Sequence, residues 1–233
     1  MTGEYTMYRK LFFASFMAIL VAGCASSELK LDTSAEADMT FDGLFPVKNT
    51  RVHSAWARAD LDLSSFNKIM LAEVDVEFRP GGESGRTMRS RSGSGPFEVT
   101  EEQKARFDAL FREVFLDELG QSEHFTVVDE PGPDVLMVRG VLLDVVSFVP
   151  PETVGRSDVF LSRIGEATLV LELRDSITEA ILVRAVDRRA AEQAGGAMTA
   201  SNRVTNTTEV RRLVRTWARM LRQRLDEFSG FSQ

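Results

Sequence analysis

Residues Glu166–Arg174 alternate: Ala167, Leu169, Leu171 and Leu173 fall on one side, and Glu166, Thr168, Glu172 and Arg174, with Val170 among them, on the other. That is the period of a strand with one face buried and one face wet. Asp175–Ala180 reads as a turn and Ile181–Arg189 as the returning strand, so the segment predicts a β-hairpin. A hairpin commits the domain to antiparallel pairing and to a sheet whose apolar side must be covered.

Other segments supply the rest of the sheet and its cover. Asn67–Phe78 reads as one strand, with Met70, Ala72, Val74, Val76 and Phe78 inward and Glu73, Asp75 and Glu77 outward. Phe125–Asp129 is a short strand. Val135–Phe148 is apolar on both faces apart from Arg139 and Asp144, as suits a central strand. Thr100-Glu101-Glu102-Gln103 has the pattern of a capping box opening a helix. Phe107, Leu110, Phe111, Val114 and Leu119 then follow at helical spacing, with Gly120 as the stop. Asn206–Phe228 is the longest helix, with Val210, Leu213, Val214, Trp217, Leu221, Leu225 and Phe228 along one stripe. Strands in a run with helices set apart predict an α+β fold: two layers, an antiparallel or mixed sheet of about five strands, and two helices packed on one face.

The amino terminus lies outside that domain. Arg9 and Lys10 precede an apolar run, Leu11–Val21, too short to cross a bilayer core, which takes about 20 residues. It fits the h-region of a secretory signal, and translation from Met7 (MYRKLFF) has the usual shape of such a start. Val21-Ala22-Gly23-Cys24 matches a bacterial lipobox, and Cys24 is the chain's single cysteine. The expected division is therefore 1–23 as a lipoprotein signal peptide, 24–59 as lipidated cysteine and tether, 60–229 as one periplasmic α+β domain, and 230–233 as a tail. Within the tether the stretch SSELKLDTSAEADMT is polar and acidic, while Phe41, Leu44, Phe45 and Trp56 are able to dock on the domain. Two or more acyl chains make a stable anchor. Ala25, where an aspartate would retain the protein elsewhere, is similar to lipoproteins sorted to the outer membrane.

Several segments carry a family resemblance. They are Ala59-Asp60-Leu61 before Lys68-Ile69-Met70-Leu71, Val128 to Leu136 (VDEPGPDVL), and Leu143-Asp144-Val145. Gly165-Glu166-Ala167, Glu172 to Ser176 and Ala185 to Arg189 complete the set. From about residue 40 to the end the chain resembles the bacterial lipoprotein family known as domain of unknown function 3313. The resemblance implies a lipobox and a periplasmic α+β domain, and brings no activity, catalytic residue or cofactor with it. One departure is the turn Ser176-Ile177-Thr178-Glu179-Ala180, where Thr-Gly-Glu is expected. Without that glycine the turn lacks its easy positive-φ position, and the register of the returning strand is open.

The polar residues give chemistry little purchase. The chain has a net charge of −7 and a pI near 5.1, which argues against nucleic acid as a partner. Two histidines and one cysteine leave little for a zinc site. His53 and His124 have no triad context, and the serines of Ser92-Gly93-Ser94-Gly95 lack a nucleophile elbow. Gly81-Gly82-Glu83-Ser84-Gly85 lacks the ending of a phosphate loop. Glu73, Asp75 and Glu77 offer three carboxylates, but calcium wants six to eight oxygens, and a solvated strand face is the plainer reading. No catalytic residue, metal or cofactor is expected.

Arginine is the informative polar residue. Arg211, Arg215, Arg219 and Arg222 form a stripe on the last helix, opposite its apolar one. Their planar forks suit carboxylates and phosphates, either of lipids or an acidic partner, or else of the domain's own acids. Glu166, Glu172, Arg174, Arg184 and Arg188 would pair across strands in the same way.

The expected function is that of an outer-membrane-anchored lipoprotein on the periplasmic side. It would hold the membrane through lipidated Cys24 and act as a non-enzymatic binding or accessory module for an envelope protein partner. The alternatives are a periplasmic hydrolase with its site on loops 79–97 and 149–165, and a carrier sheltering a lipid between helices and sheet. Converging pKa-perturbed groups would mark the enzyme, a dry cavity the carrier, and an apolar patch beside the arginine stripe the binding module.

Overall fold

A computed structural model describes residues 29–79, 97–149, 160–192 and 199–230. Its framework is three long strands at the predicted places: β7 (Val135–Ser147), β9 (Arg163–Asp175) and β10 (Ile181–Glu192). They run antiparallel in the order β10-β9-β7. Ala167, Leu169, Leu171 and Leu173 are all buried, as their spacing requires.

The sheet is larger than the expected five strands. Among the described residues nine strands form it, in the order β1 (Lys30–Leu31), β2 (Phe45–Lys48), β3 (Ser54–Ala57), β10, β9, β7, β4 (Lys68–Leu71) and β6 (Thr126–Val127), with β5 (Asp75–Phe78) also on β7. The additions come mostly from the stretch read as tether. β1, β2 and β3 extend the sheet beyond β10, and Leu44 is fully buried. Residues 30–57 thus supply strands of the sheet, where a tether was expected up to residue 59. Strands of two to four residues are too short to show a period, which is why this region reads as irregular. A separate two-stranded piece pairs β8 (Phe160–Leu161) with β11 (Thr199–Ala200).

The strand expected over Asn67–Phe78 is two, β4 (Lys68–Leu71) and β5 (Asp75–Phe78), both parallel to β7. Leu71 faces Val138 and Asp75 faces Val141, so four steps on one side match three on the other. That extra residue reverses the phase. Ile69 and Leu71 are buried, not Met70, whereas Val76 and Phe78 still face the core. A parallel pair cannot be joined by a tight turn. The crossover is α1 (Glu101–Leu119), so the sheet is mixed, with β6 (Thr126–Val127) added beyond β4.

α1 opens on the predicted capping box: Gln103 N donates to Thr100 Oγ1 and Thr100 N to Gln103 Oε1. It ends at Gly120, which keeps right-handed dihedrals (φ −64°, ψ −10°), so the stop does not use glycine's left-handed freedom. Phe111, Val114, Phe115 and Leu119 are buried, and Phe111 stacks on Phe115 with centroids 4.3 Å apart. α2 (Arg203–Gly230) starts after Asn202, whose Oδ1 accepts from Thr205 N. It buries Val214, Trp217, Ala218 and Leu225. Both helices join the inward residues of β7 and β9 in one core, and among the described residues no helix covers the other sheet face.

Two non-glycine residues bend the long strands. Glu179 takes φ 58° in the β9–β10 turn, filling the position that lacks a glycine, while Asp175 Oδ1 accepts from Ile177 N and Thr178 N at 2.8 Å each. Those bonds hold the Asp175 carboxyl below its usual range. Register is then set for eleven residue pairs, with irregularities at Ile181/Val183 and Ala191/Glu192. Asp144 takes φ 57° in β7, at the point where β7 shifts register against both β5 and β9.

Candidate functional site

The arginine stripe faces the neighbouring helix. α1 and α2 lie side by side and run the same way: Glu113 meets Arg211, Glu118 meets Arg215 and Arg219, and Ser122 meets Asp226. Arg211 Nη1 is 2.8 Å from Glu113 Oε1, and this bond holds the Glu113 carboxyl below its usual range. Glu118 is 2% exposed and lies within 4 Å of three arginines: Arg215 and Arg219 at 3.4 Å and Arg222 at 3.8 Å. Arg215 also approaches Asp117, and Arg222 reaches Asp226 at 3.2 Å. Four cations therefore meet Glu113, Asp117, Glu118 and Asp226. The stripe finds counter-charges among the domain's own acids, one of the readings that its spacing allowed.

The sheet face opposite the helices is likewise paired. Glu172 accepts from Arg174 and Arg184 at 2.5 and 2.8 Å, and Arg188 lies 2.7 Å from Glu166. Burial pushes the Glu172 carboxyl up, but the two arginines outweigh it and hold it below its usual value. Beyond this row Val141, Val170 and Val186 stand opposite one another, half-buried. Arg184 also clamps Asp42 at 2.5 Å. Asp42 is held low first by Thr40 and then by Arg184, and beside it Phe41 is fully exposed.

Between the inner sheet face and the second half of α2 lies an apolar cavity of about 160 Å³. Leu169, Leu171 and Leu173 of β9 and Val183 and Ala185 of β10 form one wall; Trp217, Leu221 and Leu225 of α2 form the other. Leu29, Val47 and the β2–β3 loop residues Thr50, Arg51 and Val52 close one side. The cavity exists because small side chains, Ala55, Ala57 and Ala185, line the sheet there.

Its polar groups are few and mostly matched. Asp187 is buried and accepts from Trp217 Nε1 at 2.9 Å, Arg189 Nε at 2.5 Å and His53 N at 3.2 Å. Arg224 bonds Glu227 at 2.5 Å. Arg51 is exposed and has no ion pair or hydrogen bond among the described residues. The cavity was hidden in the sequence because Leu29, Val47 and the β2–β3 loop residues that line it come from the apparent tether. The one available signal was Asp187, a carboxylate at the inward parity of Val183 and Ala185.

The remaining candidates do not converge. His53 and His124 use their backbone amides, toward Asp187 and Ser122. Asp75 pairs with Arg139 at 3.3 Å, and Glu73, Asp75 and Glu77 are not among any metal-holding group of the described residues, which have none. Cys24 and the serines of 92–94 lie outside the described residues, as does most of both loops assigned to a hydrolase. At the edges of those loops Arg79 and Asp144 close on each other as a bidentate pair, which depresses the Asp144 carboxyl. No helix of the described residues is long and apolar enough to cross a membrane.

Comparisons with known proteins place the chain. No curated protein matches it in sequence. Protein XCC0632 from Xanthomonas campestris, of family DUF330, is similar in structure, with a TM-score of 0.45, 9% identity, and coverage of 71% of this chain and 86% of that one. The PelC dodecamer of Paraburkholderia phytofirmans gives 0.35, 8%, 71% and 96%. The hypothetical protein CT253 from Chlamydia trachomatis gives 0.37, 10%, 70% and 98%. At these values none carries an inference about what this chain does. The family model described as protein of unknown function (DUF3313) matches residues 37–221, covering β2 through most of α2. The chain belongs to that family.

Proposed function

We propose that this protein is a lipoprotein held by lipidated Cys24 on the periplasmic side of the outer membrane, where its α+β domain works by binding as an accessory module of the cell envelope. The apolar cavity carries the choice of binding over catalysis, and it favours the alternative in which the domain shelters a lipid between helix and sheet. Its walls are aliphatic and aromatic, and its buried carboxylate, Asp187, is held by three donors. Such a site suits recognition of an apolar group; a catalytic site needs titratable groups converging on a reacting atom.

The anchor supplies proximity. Only four residues of sequence separate Cys24 from Leu29, which lines the cavity, so the cavity works close to the bilayer surface. Separation of inner and outer membranes tests the placement. The full chain should appear in the outer-membrane fraction, and Cys24→Ala should be lost from it. A Cys24→Ala protein that still reaches the outer membrane would overturn the lipid-anchor reading.

A further inference from the structure

We infer that the cavity takes the alkyl chain of a single-chain anionic amphiphile, a long-chain carboxylate, with its head group at Arg51. The inference rests on the reading of the domain as a binding module and adds the class of ligand. Size comes first. An apolar cavity of about 150 Å³ stays dry and takes a molecule the size of benzene, so about 160 Å³ holds a segment of about six carbons. Arg51 and Phe228 of the lining are both exposed, so a longer chain can continue outward past Phe228.

Chemistry comes second. Leu171, Val183, Leu221 and Trp217 offer an alkyl chain contact and no hydrogen bond that it would leave unmade. Aromatic rings would fit the volume, but a neutral ring leaves the rim charge unused. Charge is the third argument. Asp187 is matched by Arg189, and Arg224 by Glu227. Arg51 is the lining cation with no partner among the described residues. A carboxylate there completes a charge-assisted pair.

The test is photolabelling in intact cells making the full chain, fed a palmitic acid analogue that carries a diazirine and an alkyne. After irradiation the protein is purified and digested, and adducts are mapped. Light-dependent adducts should fall on the peptides holding Leu169–Leu173 and Trp217–Leu225, and excess palmitate should suppress them. Arg51→Glu, a surface change, should cut their yield at least about tenfold, as expected for loss of a charge-assisted bond. Adducts absent from those peptides would overturn the inference, and an unchanged yield in Arg51→Glu would overturn the carboxylate assignment. Adducts lost in Cys24→Ala would mean that the anchor's own chain fills the cavity, which also contradicts it. Light-independent label on Cys24 reports the anchor separately, so failure of the anchor and failure of the cavity ligand give different results.

Discussion

Trp217 sits where core and cavity meet. It is 3% exposed, lines the cavity, and donates its indole N–H to Asp187. Trp217→Ala should destabilise by about 3–4 kcal/mol, within the range for large-to-small core changes, as the midpoint shift of urea unfolding would show. A near-neutral result would mean that this helix face does not pack on the sheet. Gly165 is constrained differently: a Cβ there would lie 2.4 Å from the Val146 carbonyl oxygen across the β7–β9 ladder. Gly165→Ala should cost about 1–3 kcal/mol, as overpacking does, read in the same unfolding assay. Residues in long alternating runs were legible in the sequence, as Leu169–Leu173 show. Asp144 and Glu179 were not, because their left-handed dihedrals answer to register and turn geometry that only a folded partner strand imposes.

At the scale of elements, the two helices are parallel neighbours, so their macrodipoles align side by side and do not offset one another. The α1 acids and α2 arginines bind the pair across that seam. Glu118 is the centre of it, with three arginines around one nearly buried carboxylate. Replacing it leaves those cations facing one another. Glu118→Gln should destabilise by roughly 1.5–3 kcal/mol, the value of hydrogen bonds to charged groups, since Arg215 and Arg219 remain part-hydrated. A Glu118→Gln protein as stable as the parent would place the arginines' partners elsewhere. Sequence spacing located the stripe correctly but not its facing surface. A helix wheel says which residues share a side, and only packing says what that side meets.

Across the whole molecule, many carboxylates are held low by partners. Lys48 and Ser34 bring Asp32 to about 2, and Asp134, Asp144, Glu113 and Glu172 are lowered by Lys68, Arg79, Arg211 and the Arg174–Arg184 pair. A group whose folded pKa is depressed contributes stability above its unfolded pKa and loses it as pH falls through the folded value. The fold should therefore keep its full stability above about pH 5 and lose it progressively from about pH 4 to pH 2, in thermal unfolding against pH. The α+β class and the helix-on-one-face layering were legible from hydrophobic period. The sheet's full width was not, because β1, β2 and β3 are too short to carry one and gain their place only by pairing outward from β10. Yet those strands and the loop between them bring Leu29, Val47 and Arg51 to the cavity. The protein's proposed place at the membrane depends on Cys24. Mass spectrometry of the amino-terminal peptide, from protein purified out of cell membranes, tests it directly. The predicted peptide begins at Cys24 and carries a diacylglycerol on sulfur and an acyl chain on nitrogen; a free Cys24 thiol, or a peptide continuous through Gly23, would contradict it.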